Sequence, residues 1–139
     1  MNNNIDETRE KFFSYLLRKP GTRSQAYEFL KRQKISDSQI NFLMNEAQES
    51  GLIDDLAYSQ LFIDGHLSWG NAKIIYELSS RGVSHEIIDE ALNDSEDEFS
   101  RARDIAETWR SSGLDDRKIL TRLRSRGFSG RAVSAALDN

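Results

Sequence analysis

The amino-acid sequence predicts an all-α protein of three tandem three-helix repeats forming a short, elongated, curved solenoid. Three observations predict it. A single proline, Pro20, stands in 139 residues, so almost nothing breaks a helix. Apolar residues recur at spacings of three and four rather than two, the helical period. Finally, the chain matches itself: Leu78-Ser79-Ser80-Arg81-Gly82-Val83-Ser84 followed by Ile87, Ile88, Ala91 and Leu92 aligns with Leu123-Arg124-Ser125-Arg126-Gly127-Phe128-Ser129 followed by Ala132, Val133, Ala136 and Leu137, with seven of fifteen positions identical. Self-similarity at a fixed period marks stacked units. A weaker third copy runs from Leu30-Lys31-Arg32-Gln33-Lys34-Ile35-Ser36 to Ile40, Leu43 and Met44.

Offsets of 48 and 45 residues between the copies leave room for one more helix in each. The repeats then occupy residues 6–50, 51–94 and 95–139 of a single domain. The first helix of each is expected over 6–18, 54–67 and 95–111, where Phe12/Leu16, Tyr58/Phe62 and Ile105/Trp109 line one face. The second is expected over 22–32, 70–81 and 115–126, with stripes at Ala26/Tyr27/Leu30, Ile74/Ile75/Leu78 and Ile119/Leu120/Leu123. The third starts at a capping serine, Ser36, Ser84 or Ser129, each preceded by an apolar residue placed to staple the turn. Thr22 and Gln25 have the spacing of a capping box, and Gly21, Gly51, Gly82, Gly113 and Gly127 are expected to close helices in a left-handed turn. Because a three-helix unit buries its apolar face poorly, neighbouring units are expected to share a continuous core. The alternative is one compact bundle with coincidental spacing.

Composition narrows the function. Without cysteine there are no disulfides or thiolate metal sites, and His66 and His85 are too few for an evident metal cluster. The polar start lacks the apolar stretch of a signal peptide, and no segment approaches the roughly 20 apolar residues of a membrane span, so the expectation is a cytoplasmic protein without membrane contact. Asp54/Asp55 and Asp115/Asp116 open predicted helices, where capping accounts for them, and Glu86, Asp89 and Glu90 fit a solvated face. No phosphate loop and no nucleophile–base arrangement is recognisable. The sequence therefore reads as a non-enzymatic binding protein without a cofactor. Trp69, Tyr76 and Trp109 are either core or a docking surface.

Charge supplies the candidate site. The net charge is −4, yet residues 51–96 carry 2 Lys/Arg against 9 Asp/Glu, while residues 97–139 carry 9 against 7. Arg117, Lys118, Arg122, Arg124, Arg126 and Arg131 lie in a fifteen-residue run without an acid. On a helical projection Ile119, Leu120 and Leu123 share one face and the cations fan across the rest. Phosphate or an acidic protein groove is the natural complement.

The second unit resembles the RecX regulators of the RecA recombinase. The likeness rests on Gly51-Leu52-Ile53-Asp54-Asp55, Tyr58, Phe62, Gly70, Ile74, Glu77-Leu78, Arg81-Gly82-Val83, Ile88 and Ala91-Leu92, with Thr22-Arg23-Ser24-Gln25 and Leu30 similar to the family's Ser-Arg-x-Glu-Leu run. It covers most of the chain from Phe12 to Leu137. The resemblance implies a monomeric protein that lies along the RecA filament on DNA, inhibits its recombination, ATPase and coprotease activities, contacts DNA within the filament, and binds naked DNA weakly. Family members are usually basic around the second unit, where this chain keeps only Lys73 in the stretch His66-Leu67-Ser68-Trp69-Gly70-Asn71-Ala72-Lys73. Lys73 and Arg81 therefore join the six cations of the third unit as candidate partner-binding residues. A helical adaptor for an unrelated protein is the alternative.

Overall fold

A computed structural model of the chain describes residues 3–138. Among them lie nine helices and no strand: α1 (Asn3–Arg18), α2 (Arg23–Lys31), α3 (Asp37–Glu49), α4 (Asp55–Asp64), α5 (Asn71–Ser80), α6 (His85–Asn93), α7 (Glu98–Ser111), α8 (Asp116–Ser125) and α9 (Gly130–Leu137). None is long and apolar enough to cross a membrane.

Local chemistry sets the boundaries. Ser36, Ser84 and Ser129 cap α3, α6 and α9 by accepting the amides of Gln39, Ile87 and Ala132. Thr22 and Gln25 form the expected capping box on α2. Gly51, Gly82, Gly113 and Gly127 all have positive φ, the backbone of a left-handed stop. Gly21 differs from expectation: it stands directly before the Thr22 cap, without positive φ. Of the first helices, α1 begins three residues before its expected start, whereas α4 and α7 are shorter than expected. Helix α4 stops at Asp64, since Gly65 starts a turn that runs to Trp69, and α7 starts after Asp97, whose carboxylate caps the amide of Ser100.

Packing within each group of three helices buries its own core. The first holds Phe12, Leu16, Leu30, Leu43 and Met44, the second Ile63, Ile74, Leu78, Val83, Ile88 and Ala91. The third combines Ala102, Ala106, Ala132 and Ala136 with Ile119, Leu123, Phe128 and Val133, so that small residues bring α7 and α9 close together. The expected continuous core is absent. The clusters are separate, and the extensive helix pairings all fall within α1–α3, α4–α6 or α7–α9.

Polar and backbone contacts join the groups instead, and they take the same form twice. The cap of one group's second helix bonds the carbonyl that ends the second helix of the next: Thr22 Oγ1 donates to Arg81 O at 2.6 Å, and Gly70 N donates to Arg126 O at 2.7 Å. A carboxylate from the next group's first helix then accepts the first amide of that second helix. Asp55 Oδ1 takes Arg23 N at 2.8 Å, and Glu98 Oε2 takes Asn71 N at 2.8 Å. These amides have no partner within their own helices, so the carboxylates satisfy a donor that would otherwise need water. Beneath each contact lies a glycine turn. A Cβ on Gly82 would collide with Ser24, and one on Gly127 would come within 2.7 Å of both the Lys73 amide and its Cβ. In the α2–α3 turn the equivalent position is Lys34, with ordinary negative φ.

Stacking of this kind leaves more surface than a sphere. The accessible area of 8733 Å² exceeds the roughly 7,400 Å² of a compact monomer of this mass. Small-angle scattering of the monomer should give a radius of gyration above the roughly 14 Å of a compact chain of this length; a value at 14 Å would contradict the stacked arrangement. The joint itself predicts a contrast among glycines. Gly113→Ala should cost about 1–2 kcal/mol for its left-handed backbone alone, because nothing lies within 4 Å of its added Cβ. Gly127→Ala carries the same backbone penalty plus the collision with Lys73, and should lose about 1–3 kcal/mol more in urea denaturation. Equal losses would mean that the joint yields without cost.

Candidate partner-binding ridge

The joints set the second helices end to end: the start of α2 meets the end of α5, and the start of α5 meets the end of α8. Their 9, 10 and 10 residues make a ridge with a contour of roughly 40 Å at 1.5 Å per residue. Along one side run residues spaced by four, which stack one above another on a helix. In α8 these are Lys118, Arg122 and Arg126. In α5 they are Lys73, Glu77 and Arg81, and in α2 Gln25, Phe29 and Gln33.

Aromatic rings lie beneath the cations. Arg126 and Arg122 sit over Trp109, with Cζ 5.0 and 5.6 Å from the ring centroid. Lys73 Nζ lies 4.3 Å from the Trp69 centroid, and Arg81 Cζ 4.8 Å from that of Phe62. His66 completes the second group's row, stacked on Phe62 at 4.2 Å and against Trp69 at 4.1 Å, its Nδ1 2.7 Å from Phe62 O. Trp69 and Trp109 are therefore both core and surface: each is half-buried against its own apolar cluster and carries a cation. In the first group the place of the cation is taken by an aromatic pair, Tyr15 on Phe29 at 4.4 Å.

The eight predicted cations thus divide. Lys73, Arg81, Lys118, Arg122 and Arg126 share the ridge. Arg81 is the least available, because Nη1 donates to Glu77 O at 2.8 Å and to Glu77 Oε1 at 3.0 Å. Arg117 and Arg124 project from the opposite flank of α8, and Arg131 stands on α9 beside Phe99. Arg117, Lys118, Arg122, Arg124 and Arg131 are exposed, and their side chains make no hydrogen bond or ion pair with any described residue.

Sequence reasoning missed the cation that holds the ridge together. Arg101 on α7 is only 3 % exposed. Its guanidinium donates to Leu67 O, Trp69 O and Asn71 Oδ1 in the preceding group and to Glu96 O in its own. Burial pulls its pKa down from the ordinary arginine value, while Glu98, Glu96 and Asp97 hold it up; an arginine keeps its proton under such opposition. Glu96 is pushed up, first by burial and then by Asp104. Beside Arg101, Glu98 bonds Asn71 N, Ser129 N and Ser129 Oγ, so one carboxylate ties α5 to the start of α9. The doubled acids Asp54-Asp55 and Asp97-Glu98 were the available signal: the first of each pair caps its own helix and the second caps the preceding group's. Asp115-Asp116 departs from this, with Asp115 capping α8 and Asp116 paired to Arg110 at 3.0 Å.

Comparison with known proteins places these features. A family model described as RecX, second three-helix domain, matches residues 54–92. The chain is 32% identical to the regulatory protein RecX of Streptomyces coelicolor, over 96% of this chain and 79% of that one. It is 31% identical to the regulatory protein RecX of Lactobacillus delbrueckii subsp. bulgaricus over 90% of this chain, and it spans half of that protein's length. In fold it is similar to the crystal structure of RecX from Lactobacillus salivarius, with a TM-score of 0.83 at 22% identity, covering 99% of this chain and 96% of that one.

Buried and exposed arginines should respond differently to truncation. Arg101→Ala leaves three carbonyls and a carboxamide without their donor and should cost about 3 kcal/mol or more in urea denaturation. Arg124→Ala should stay within about 0.5 kcal/mol of the parent. A small loss at Arg101 would show that water replaces the guanidinium and that the joint does not depend on it.

Proposed function

The chain belongs to the RecX family of regulatory proteins, and from that premise we propose that it acts on a RecA recombinase filament assembled on DNA, inhibiting recombination, ATPase and coprotease activities. It works by binding and not by catalysis, as a monomer without a cofactor.

The observation that carries this reading is the ridge of roughly 40 Å formed by α2, α5 and α8 end to end. Its length and repetition suit a target that repeats. Successive contacts with neighbouring filament subunits are intramolecular once the first has formed, so avidity can exceed single-site affinity by on the order of 10² or more. A free recombinase monomer offers only one contact. Lys118, Arg122 and Arg126, with Lys73 across the joint, supply the attraction, and Trp109 holds the two arginines in place as Trp69 holds Lys73. Cations held over rings lose less freedom on binding than those that sweep solvent. Naked DNA is a poorer target, because the net charge is −4 and phosphates along residues 51–96 meet nine carboxylates.

Lys118→Glu and Arg122→Glu together should weaken inhibition of recombinase ATPase and strand exchange by tenfold or more and flatten its salt dependence, with circular dichroism unchanged. Arg126 is left in place because it closes α8 at the joint itself. Unaltered inhibition by the folded variant would remove the α8 cations from the interface. No inhibition by the parent chain would transfer the case to a helical adaptor for another protein.

A further inference from the structure

A cleft of about 630 Å³ opens where the first and second groups meet. Three cations line it, each near the end of a different helix: Lys19 after α1, Arg32 closing α2 and Arg81 closing α5. Helix C-termini attract cations, which accounts for each singly. It does not account for their convergence from two groups on one concavity. Arg32 spends one donor on Glu28 O, Arg81 uses Nη1 on both the carbonyl and the carboxylate of Glu77 and keeps Nη2 and Nε, and Lys19 makes no side-chain bond with a described residue. On the same wall the Ser79 hydroxyl is buried with no hydrogen-bond partner, an arrangement folded proteins rarely leave unmet.

We infer that this cleft receives an acidic polypeptide segment of the recombinase, its carboxylates held by Lys19, Arg32 and Arg81. This rests on the reading above and adds a contact outside the cationic stretch of α8. Two observations favour a polypeptide over nucleic acid. Glu28 also lines the cleft, repelling a phosphate backbone yet able to accept a peptide N–H. Of the two tyrosines in the lining, Tyr15 already has one face taken by Phe29 at 4.4 Å, which reduces what the cleft offers to stacking bases.

Two measurements on the full chain test this against recombinase filaments on single-stranded DNA. Lys19→Glu with Arg32→Glu reverses two exposed cations that take no part in the joint, and should weaken filament capture at least tenfold. A photo-crosslinking benzoylphenylalanine at Ser80, on the rim of the same cleft, should trap a recombinase peptide rich in Asp and Glu. Should the double reversal disturb folding, the crosslink on the otherwise unaltered chain decides alone. Full affinity in a folded double variant overturns the inference, as does a crosslink to DNA or to a peptide without acids, while capture of filament by the parent chain keeps the parent reading intact. Failure of the parent chain to capture filament overturns both.

Discussion

The stacking of the three groups on one another depends on the close approach of one helix start to a glycine turn. At Gly70 and Gly127 two backbones meet with no side chain between them, and a Cβ on Gly70 would overlap the Gly127–Phe128 peptide. That closeness lets Gly70 N reach Arg126 O and Glu98 reach Asn71 N. Each apolar cluster is small, and none is continuous with its neighbour. Apolar contact is non-directional and would tolerate many angles between units. Hydrogen bonds between particular backbone groups tolerate few, and a buried donor left without an acceptor costs about 1–3 kcal/mol. The orientation of the units thus comes from polar satisfaction, and the mass of their stability from separate apolar interiors.

The repeated scaffold carries graded chemistry. Three residues at equivalent places read Lys-Arg-Arg in the third group, Lys-Glu-Arg in the second and Gln-Phe-Gln in the first. Cationic character falls along the ridge while its backbone geometry is kept. Such a gradient gives an otherwise repetitive surface a direction, with one end strongly cationic and the other nearly neutral. Each cation over its ring contributes about 0.5–1 kcal/mol at an exposed site, too little to hold a fold but enough to bias where a long side chain rests.

Much of this was legible in the residues. The repeat showed itself through Arg81-Gly82 and Arg126-Gly127, the serine caps and the apolar stripes, all local signals with fixed spacing. What joined the repeats was not. The expectation of a shared core came from the size of the apolar face, whereas the chain solves that problem inside each unit, most visibly with the alanines of α7 and α9. Gly127 looked like a helix stop, which it is, yet its second role depends on Lys73, 54 residues away, and no local pattern discloses such a meeting. Arg101 was missed for the same reason. It sits among acids on an amphipathic helix, as a solvated arginine would, and only the turn from Leu67 to Asn71 folding over it makes it buried. Of the α8 cations, the helical projection gave the face but not the partition, which follows from Trp109 standing on one flank.

Lys34 occupies the place where Gly82 and Gly127 each receive the start of another helix, and its backbone lies outside the left-handed region. A lysine side chain therefore stands where the other two groups present bare glycine backbone. The glycine socket of the joint is thus present on the second and third groups and missing from the first. An open head-to-tail array needs matching surfaces at both ends, and here the two ends of the stack differ at the one residue on which the joint turns.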